Sequence, residues 1–240
     1  MRHVALVLLP GITDCVEQMT PAVAGLAQRG ASVIPIVYSD MGAAQSIEGL
    51  ARSVWQHIDA AHPHAALRGC VLVLIGFSMG SFVAQAMLAD VPQALPGGAC
   101  ALALVLVGGA APGSMHSNAA ALGRAFSRFQ YAEARGWRPC RAVPLHRGII
   151  AAAYLLTGRR VRMPPGVPVL AVHGSDDDTL PLHNAVDMVH AYGADMHVIP
   201  SARHNVFRDA PVHVAVAIAD WVSRRATTAC VVAMAREMGL

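Results

Sequence analysis

The stretch Val71–Asp90, VLVLIGFSMGSFVAQAMLAD, constrains the fold more than any other part of the 240-residue chain. Its first residues are apolar and β-branched, as in a buried strand, and its last residues have the spacing of an amphipathic helix. Between them, Gly76–Gly80 has the form G-x-S-x-G. A strand that turns directly into a helix through one serine holds that serine at the carboxyl edge of a sheet, and the strained turn requires small neighbours. The stretch therefore predicts a strand–turn–helix unit.

Other apolar runs alternate with segments of helical spacing along the chain. Strands are predicted at Val4–Leu9, Ala31–Tyr38, Cys70–Phe77, Ala101–Val107, Val167–Val172 and Met196–Ile199. Each is a near-continuous apolar run, which indicates a strand buried on both faces. The sequence predicts an α/β protein with a mostly parallel sheet of about six strands and helices on both faces.

One connection is far longer than the others. Residues 111–165 separate the fourth and fifth predicted strands and contain two helical patterns, near Ser117–Arg135 and Leu145–Leu156. A connection of this length between two strands is unusual and is often functional. We predict a core of residues 1–110 and 166–240, with residues 111–165 forming a helical lid.

The predicted lid differs from the core in charge. It contains nine arginines and a single acid, Glu133, whereas the rest of the chain has nine basic and fourteen acidic residues. These arginines either solvate the surface and pair with carboxylates of the core, or create a positive field that attracts an anionic ligand.

Composition excludes several classes of protein. Hydrophobic residues make up 55% of the chain and charged residues 14%, which argues against disorder. The longest apolar run, Ala99–Ala111, is shorter than the ~20 residues that span a bilayer, so no membrane span is predicted. The apolar start of the chain breaks at Pro10 without a cleavage site, which favours a first strand over a leader peptide. A cytoplasmic protein is therefore expected. Five cysteines without a C-x-x-C pair favour reduced thiols.

Polar segments follow the last two predicted strands. HGSDDDTLP occupies 173–181 after the fifth strand, and ARHNVF occupies 202–207 after the sixth. A serine hydroxyl is a weak nucleophile until a base takes its proton, and the base needs an acid to orient it. Because the carboxyl ends of parallel strands share one edge, the serine, one aspartate of 176–178 and His204 are expected to meet there. We interpret His173 as a structural residue of the strand-end turn.

These segments together resemble the α/β-hydrolase superfamily. The resemblance rests on LPGIT after the first strand, GFSMG at the turn, HGSDDDTLP and ARHNVF, and so covers almost the whole chain. It implies an α/β-hydrolase fold, although the strands that usually precede the first one are missing here.

The resemblance also implies roles for individual residues. It implies Ser78 as the nucleophile, Asp177 as the acid three residues after the glycine, and His204 as the base. The backbone N–H groups of Met79 and Ile12 would form the oxyanion hole, although Pro-Gly replaces the more usual His-Gly before Ile12.

The expected activity is that of a serine hydrolase that cleaves a carboxylic ester or thioester through an acyl-enzyme on Ser78. One alternative is an acyltransferase or thioesterase that acts on a CoA- or carrier-protein-bound acyl chain. A second is a non-hydrolytic ligand-binding protein, or a lyase, on the same fold. An anionic acyl substrate would suit Arg159, Arg160 and Arg162, which are predicted to bind it because arginine pairs well with phosphate and carboxylate groups.

Cofactors and macromolecular partners are not indicated. The sequence contains no G-x-G-x-x-G and no lysine for a P-loop, so no nucleotide cofactor is expected. His62 and His64 lack a third ligand at metal-binding spacing, so no metal is expected. The predicted partner is a small-molecule acyl substrate, with no nucleic acid, and the sequence leaves the oligomeric state open.

Overall fold

The fold is built on a six-stranded sheet. The computed structural model describes residues 4–13, 15–42, 44–62, 67–92, 95–112, 145–164 and 166–237. The strands are β1 (Val4–Leu9), β2 (Ser32–Pro35), β3 (Val71–Phe77), β4 (Ala101–Val107), β5 (Val169–Gly174) and β6 (Asp195–Ile199).

The strands are all parallel and lie in the order β2-β1-β3-β4-β5-β6. The prediction of an α/β fold with a parallel sheet of about six strands is confirmed. In the register of the sheet, Leu9 lies beside Gly76 and Gly76 beside Leu106, so the ends of the three central strands are level. The loops that follow β1, β3 and β4 therefore meet at one edge.

Helices connect the strands in a doubly wound arrangement. They are α1 (Thr20–Gln28), α2 (Ile47–Ala61), α3 (Met79–Ala89), α4 (Leu145–Thr157), α5 (His183–Tyr192), α6 (Val206–Asp209) and α7 (Pro211–Glu237). Short 3-10 turns occupy Val16–Gln18, Tyr38–Met41 and Pro96–Gly98. The helical pattern predicted near Ser117–Arg135 lies outside the described residues.

Alternating side chains of the strands supply two cores, one on each face of the sheet. Ala5, Val7 and Leu9 of β1 point into the core beneath α2, α3, α4 and α5. The intervening residues of β1 point into the core beneath α1, α6 and α7. Because both faces are covered, every residue of β1 is buried, which explains why its sequence shows no polar alternation.

The described part of the long insertion packs onto the core. Helix α4 buries Ile150, Tyr154 and Leu155 among apolar side chains of α2 and α3, and the ring of Tyr154 stacks on Phe82 at 5.9 Å between centroids. Arg147 is buried as well, with its guanidinium 5.8 Å from the centre of the Tyr38 ring. One of the nine arginines of the predicted lid therefore does not face solvent.

The cysteines differ in state. Cys70 and Cys100 are reduced thiols, but Cys15, which follows the first strand, is disulfide-bonded. The expectation of reduced thiols is wrong for Cys15, because sequence spacing reveals only close pairs, and a bridge can join cysteines that are distant in sequence.

No helix in the described part of the chain is both long enough and apolar enough to cross a bilayer.

Candidate active site

Ser78 sits in a strained turn between β3 and α3. Its backbone adopts φ 52° and ψ −117°, a combination that costs a non-glycine residue about 1–3 kcal/mol and that recurs at functional sites. A β-carbon on Gly76 would collide with the backbone of Gly80, and one on Gly80 would collide with the carbonyl oxygen of Leu9. Both glycines of the G-x-S-x-G pattern are therefore required by the close approach of β1, β3 and α3.

Buried hydrogen bonds hold this turn from below. The N–H of Ser78 donates to the carbonyl of Val107 at 2.9 Å, and the hydroxyl of Ser81 donates to the carbonyl of Ser78 at 2.6 Å. The side-chain amide of Gln85 donates to the carbonyls of Ser81 and Ala110, at 3.0 and 3.1 Å. This network could not be predicted from the sequence, because serine and glutamine on a helix usually face solvent.

Ser78, His204 and Asp177 form one hydrogen-bonded chain, termed here the triad. The Nε2 atom of His204 lies 2.9 Å from Ser78 Oγ, and its Nδ1 atom lies 2.8 Å from Asp177 Oδ2. A carboxylate only accepts hydrogen bonds, so Nδ1 carries the hydrogen and the lone pair of Nε2 faces the serine hydroxyl. This arrangement allows the imidazole to take the proton of Ser78.

The carboxylate of Asp177 is buried and fully engaged. Its Oδ1 atom accepts the backbone N–H groups of Thr179 and Leu180 at 2.9 and 2.8 Å, while Oδ2 faces His204. Burial would raise the pKa of this carboxyl, but hydrogen bonds from His173 and His204 outweigh it and hold the pKa of Asp177 well below its usual range. The group is therefore ionised at neutral pH.

The two aspartates beside Asp177 are placed differently. Asp176 is exposed and accepts a hydrogen bond from Ser175 at 2.7 Å, and Asp178 is only partly buried. Of the three aspartates that the sequence left open, Asp177 is the one that the structure brings to His204.

The loop of His204 is tied to the loop of Asp177. The backbone N–H of Asp176 donates to the carbonyl of Ala202 at 2.9 Å, and that of Ser201 donates to Ser175 Oγ at 2.8 Å. The imidazole of His204 lies 5.5 Å from the ring of Phe77 between centroids, and its side chain is 19% exposed. The loop that carries His204 is thus held by backbone contacts, while one edge of the His204 imidazole stays open to solvent.

The predicted oxyanion residues lie beside the serine. Met79 is the first residue of α3, and backbone N–H groups in the first turn of a helix have no partner within the helix. A β-carbon on Gly11 would lie 3.4 Å from the Cβ of Ser78, so the Pro10–Ile12 segment passes directly by Ser78. Met79 thus directly follows Ser78, and the segment that contains Ile12 lies beside it.

The three predicted substrate-binding arginines lie together after α4. Arg159, Arg160 and Arg162 are all exposed. Arg159 lines a cleft of ≈ 440 Å³ between α2, α3 and α4 whose lining does not include the triad. Burial raises the pKa of the Tyr192 phenol, and the positive charge of Arg160 opposes that rise.

Solved structures share this architecture over nearly its whole length. A thermophilic esterase from Thermogutta terrifontis is 19% identical and matches 93% of this chain and 90% of its own, with a TM-score of 0.64. An esterase from Exiguobacterium antarcticum is 18% identical, the match covers 92% of each chain, and the TM-score is 0.65. The N-acyl homoserine lactone degrading enzyme Est816 is 18% identical, the match covers 91% of this chain and 93% of Est816, and the TM-score is 0.60.

The chain has the α/β-hydrolase fold.

At these identities the comparison establishes the fold alone. No protein-family model and no curated protein sequence matches the chain. In this α/β-hydrolase fold, Ser78 follows β3, the loop of Asp177 follows β5 and the loop of His204 follows β6.

One contact of the site was not expected. His173, interpreted from the sequence as a structural residue, lies with its Nε2 atom 3.2 Å from Asp177 Oδ2. Strand periodicity could not reveal this contact, because the chain turns out of β5 between the two residues and brings them back together.

Proposed function

We propose that this protein is a serine hydrolase that cleaves carboxylic esters through an acyl-enzyme on Ser78. The observation that carries the proposal is the triad, in which one imidazole lies 2.9 Å from the serine hydroxyl and 2.8 Å from a buried carboxylate. The structural neighbours from Thermogutta terrifontis and Exiguobacterium antarcticum are esterases, which supports the same reaction class.

The reaction would begin at the serine hydroxyl. Ser78 Oγ attacks the ester carbonyl while its proton passes to His204 Nε2, and Asp177 stabilises the imidazolium that results. The negative charge that develops on the carbonyl oxygen is stabilised by the N–H groups of Met79 and Ile12, each of which contributes about 10²–10³ in rate at sites of this type. The start of α3 adds a favourable dipole at the same position.

The second half reuses the same groups. Collapse of the tetrahedral intermediate breaks the bond to the alcohol, which leaves with the proton that His204 returns to it. His204 then takes a proton from water, the hydroxide attacks the acyl carbon, and release of the carboxylic acid restores the Ser78 hydroxyl.

The experiment is ester hydrolysis by matched variants. Wild type should hydrolyse a series of p-nitrophenyl esters, and Ser78→Ala should lower kcat by about 10⁴-fold or more, because the nucleophile is removed. Ser53→Ala is the control, since the Ser53 hydroxyl only donates to the carbonyl of Gly49 within α2 and its loss should leave kcat unchanged. Equal activity in wild type and Ser78→Ala would refute the proposal.

A second candidate is acyl transfer or thioester cleavage on an anionic, CoA- or carrier-protein-bound substrate. It is favoured by the exposed position of Arg159, Arg160 and Arg162 on one short segment. An acyl-enzyme discharges onto water or another nucleophile, so product analysis with competing alcohols, amines and thiols separates transfer from hydrolysis. Stoichiometric labelling of Ser78 without turnover would instead indicate a ligand-binding protein. Cleavage of a carbon–carbon bond without consumption of water would indicate a lyase.

A further inference from the structure

Asp177 receives two imidazoles on one carboxylate oxygen. Besides His204 Nδ1 at 2.8 Å, Oδ2 has His173 Nε2 at 3.2 Å, and the side chain of His173 is completely buried. His173 lies at the end of β5, so the sheet fixes its position. Of the two imidazoles, only that of His204 can reach Ser78.

The proton on His173 follows from its surroundings. Nε2 also lies 2.6 Å from the carbonyl oxygen of Leu180, so both of its neighbours are acceptors and Nε2 must carry the hydrogen. Within the described part of the chain, Nδ1 of His173 is buried without a hydrogen-bond partner. A hydrogen on Nδ1 would be a buried donor with no acceptor, so the geometry places the ring hydrogen on Nε2.

This hydrogen completes the bonding of the carboxylate. Oδ1 of Asp177 accepts two backbone N–H groups from the loop, and Oδ2 accepts the N–H of His204. Oδ2 also lies 3.2 Å from Nε2 of His173, whose hydrogen makes its shorter contact, 2.6 Å, with the carbonyl of Leu180. The bond to His173 has two effects. It restrains rotation of the carboxylate about its own axis, and it stabilises the ionised form against a proton from His204. Because His173 shares its hydrogen with Leu180, it also ties the loop to the carboxylate.

We propose that His173 is a positioning residue that keeps the carboxylate of Asp177 ionised and directed at His204. This inference rests on the proposed function. His173 does not touch the reacting atoms and acts only through Asp177. Its loss should therefore impair the chemical step without weakening substrate binding.

Two amide substitutions form a matched test. His173→Gln carries an N–H the same number of bonds from the backbone as Nε2, whereas the amide of His173→Asn is one bond too short to reach Asp177. His173→Asn should lower kcat by about 10- to 100-fold, the rate equivalent of one hydrogen bond to a charged group, with KM unchanged. His173→Gln should restore kcat to within about threefold of wild type. Equal kcat values for the two variants would overturn the proposal.

The pH profile separates positioning from a loss of folded protein. Without the bond from His173, more of the negative charge of Asp177 acts on His204, so the acid limb of kcat/KM should move to higher pH in His173→Asn and stay in place in His173→Gln. A variant that only loses folded protein shows a lower amplitude with the same profile. An unshifted acid limb in folded His173→Asn would refute the positioning role.

A measurement on the wild type keeps the proposal testable if His173→Asn does not fold. Nitrogen-15 NMR of the histidine rings, with His173 assigned by the signal missing from His173→Gln, should show a hydrogen on Nε2 and none on Nδ1. A hydrogen on Nδ1 would overturn the assignment. This outcome is distinguishable from failure of the proposed function, in which the wild type hydrolyses no ester although the Nε2–H form of His173 is observed.

Discussion

The sheet edge that carries the triad and the segment that follows α4 differ in how their polar side chains are held. At the sheet edge, Asp177 is buried and bonded to two backbone N–H groups and to His204, and His173 Nε2 lies 3.2 Å from its Oδ2 atom. On the segment after α4, Arg159, Arg160 and Arg162 extend into solvent. Buried, geometrically fixed groups can direct bond breaking, whereas exposed charges act at longer range and are screened by salt. The first region would set the reaction, and the second could only bias which substrate arrives.

The largest expected effect lies at the carboxylate. Asp177→Asn should lower kcat by about 10⁴-fold, because the amide can donate to His204 and hold it in the wrong tautomer. The measurement is steady-state kinetics on an activated ester.

Asp176→Asn provides the contrast, because Asp176 is exposed and, within the described part of the chain, its side chain is bonded only to Ser175. Its kcat should stay within about threefold of wild type, since exposed substitutions have small effects. A large loss in Asp176→Asn with little loss in Asp177→Asn would mean that the acid loop functions in a different register.

The turn around Ser78 should be almost as sensitive to substitution, but the property affected is the stability of the fold. Gly80→Ala would force a β-carbon into the carbonyl of Leu9, so it should lower the free energy of unfolding by several kcal/mol and reduce the yield of folded protein. Chemical denaturation of purified variants measures the loss.

Gly25→Ala is the matched control, since Gly25 lies in α1 with no atom within 4 Å of the added carbon. Alanine there should raise the free energy of unfolding by about 0.5–1 kcal/mol, because alanine favours helix. Equal destabilisation by the two substitutions would contradict the close packing assigned to the turn around Ser78.

The depressed pKa of Asp177 predicts a dependence of stability on pH. The folded protein stabilises the ionised carboxylate of Asp177 more than the unfolded chain does. The resulting contribution to the free energy of unfolding is complete above about pH 4, the ordinary pKa of aspartate, and is lost as the pH falls toward the depressed pKa. The difference in unfolding free energy between wild type and Asp177→Asn should therefore shrink as the pH is lowered from 7 to 3. A constant difference would show that the pKa is not depressed.

Most of the fold could be predicted because both faces of the sheet are covered. Buried parallel strands are continuous apolar runs, and each predicted strand overlaps an observed one. The predictions were less complete where local pattern carries little information. The four-residue helix Val206–Asp209 was not predicted, and the final helix extends to Glu237. Short helices bury few residues, and the end of a surface helix depends on its tertiary contacts.

The site was predictable to the extent that chemistry restricts residue types. The strained turn needs glycines around Ser78, and a base and an acid must follow later strands in the same sheet, so these positions could be named. The contact of His173 with Asp177 and the network of Ser81 and Gln85 could not, because both arise from the folding of loops and helices against one another. The disulfide at Cys15 was not predicted because sequence spacing reveals only close pairs of cysteines.

The smallest expected effect belongs to the arginine segment. If these charges attract an anionic substrate, the ratio of kcat/KM for an anionic thioester to that for a neutral ester should fall several-fold as the Debye length shortens from roughly 10 Å at 0.1 M salt to 3 Å at 1 M. Changing Arg159, Arg160 and Arg162 to Glu should remove the preference at low salt and leave neutral-ester turnover unchanged. A ratio that does not depend on salt would mean that the arginines only solvate the surface.

The central claim, that Ser78 is the nucleophile of a triad, is tested most directly by intact-mass analysis after treatment with a fluorophosphonate. The wild type should gain one phosphonyl group, peptide mapping should place it on Ser78, and Ser78→Ala should remain unmodified at the same protein concentration. His204→Ala should react far more slowly, because the hydroxyl has lost its base. Modification of Ser78→Ala at the wild-type rate, or a wild type that hydrolyses esters while Ser78 stays unmodified, would contradict the account.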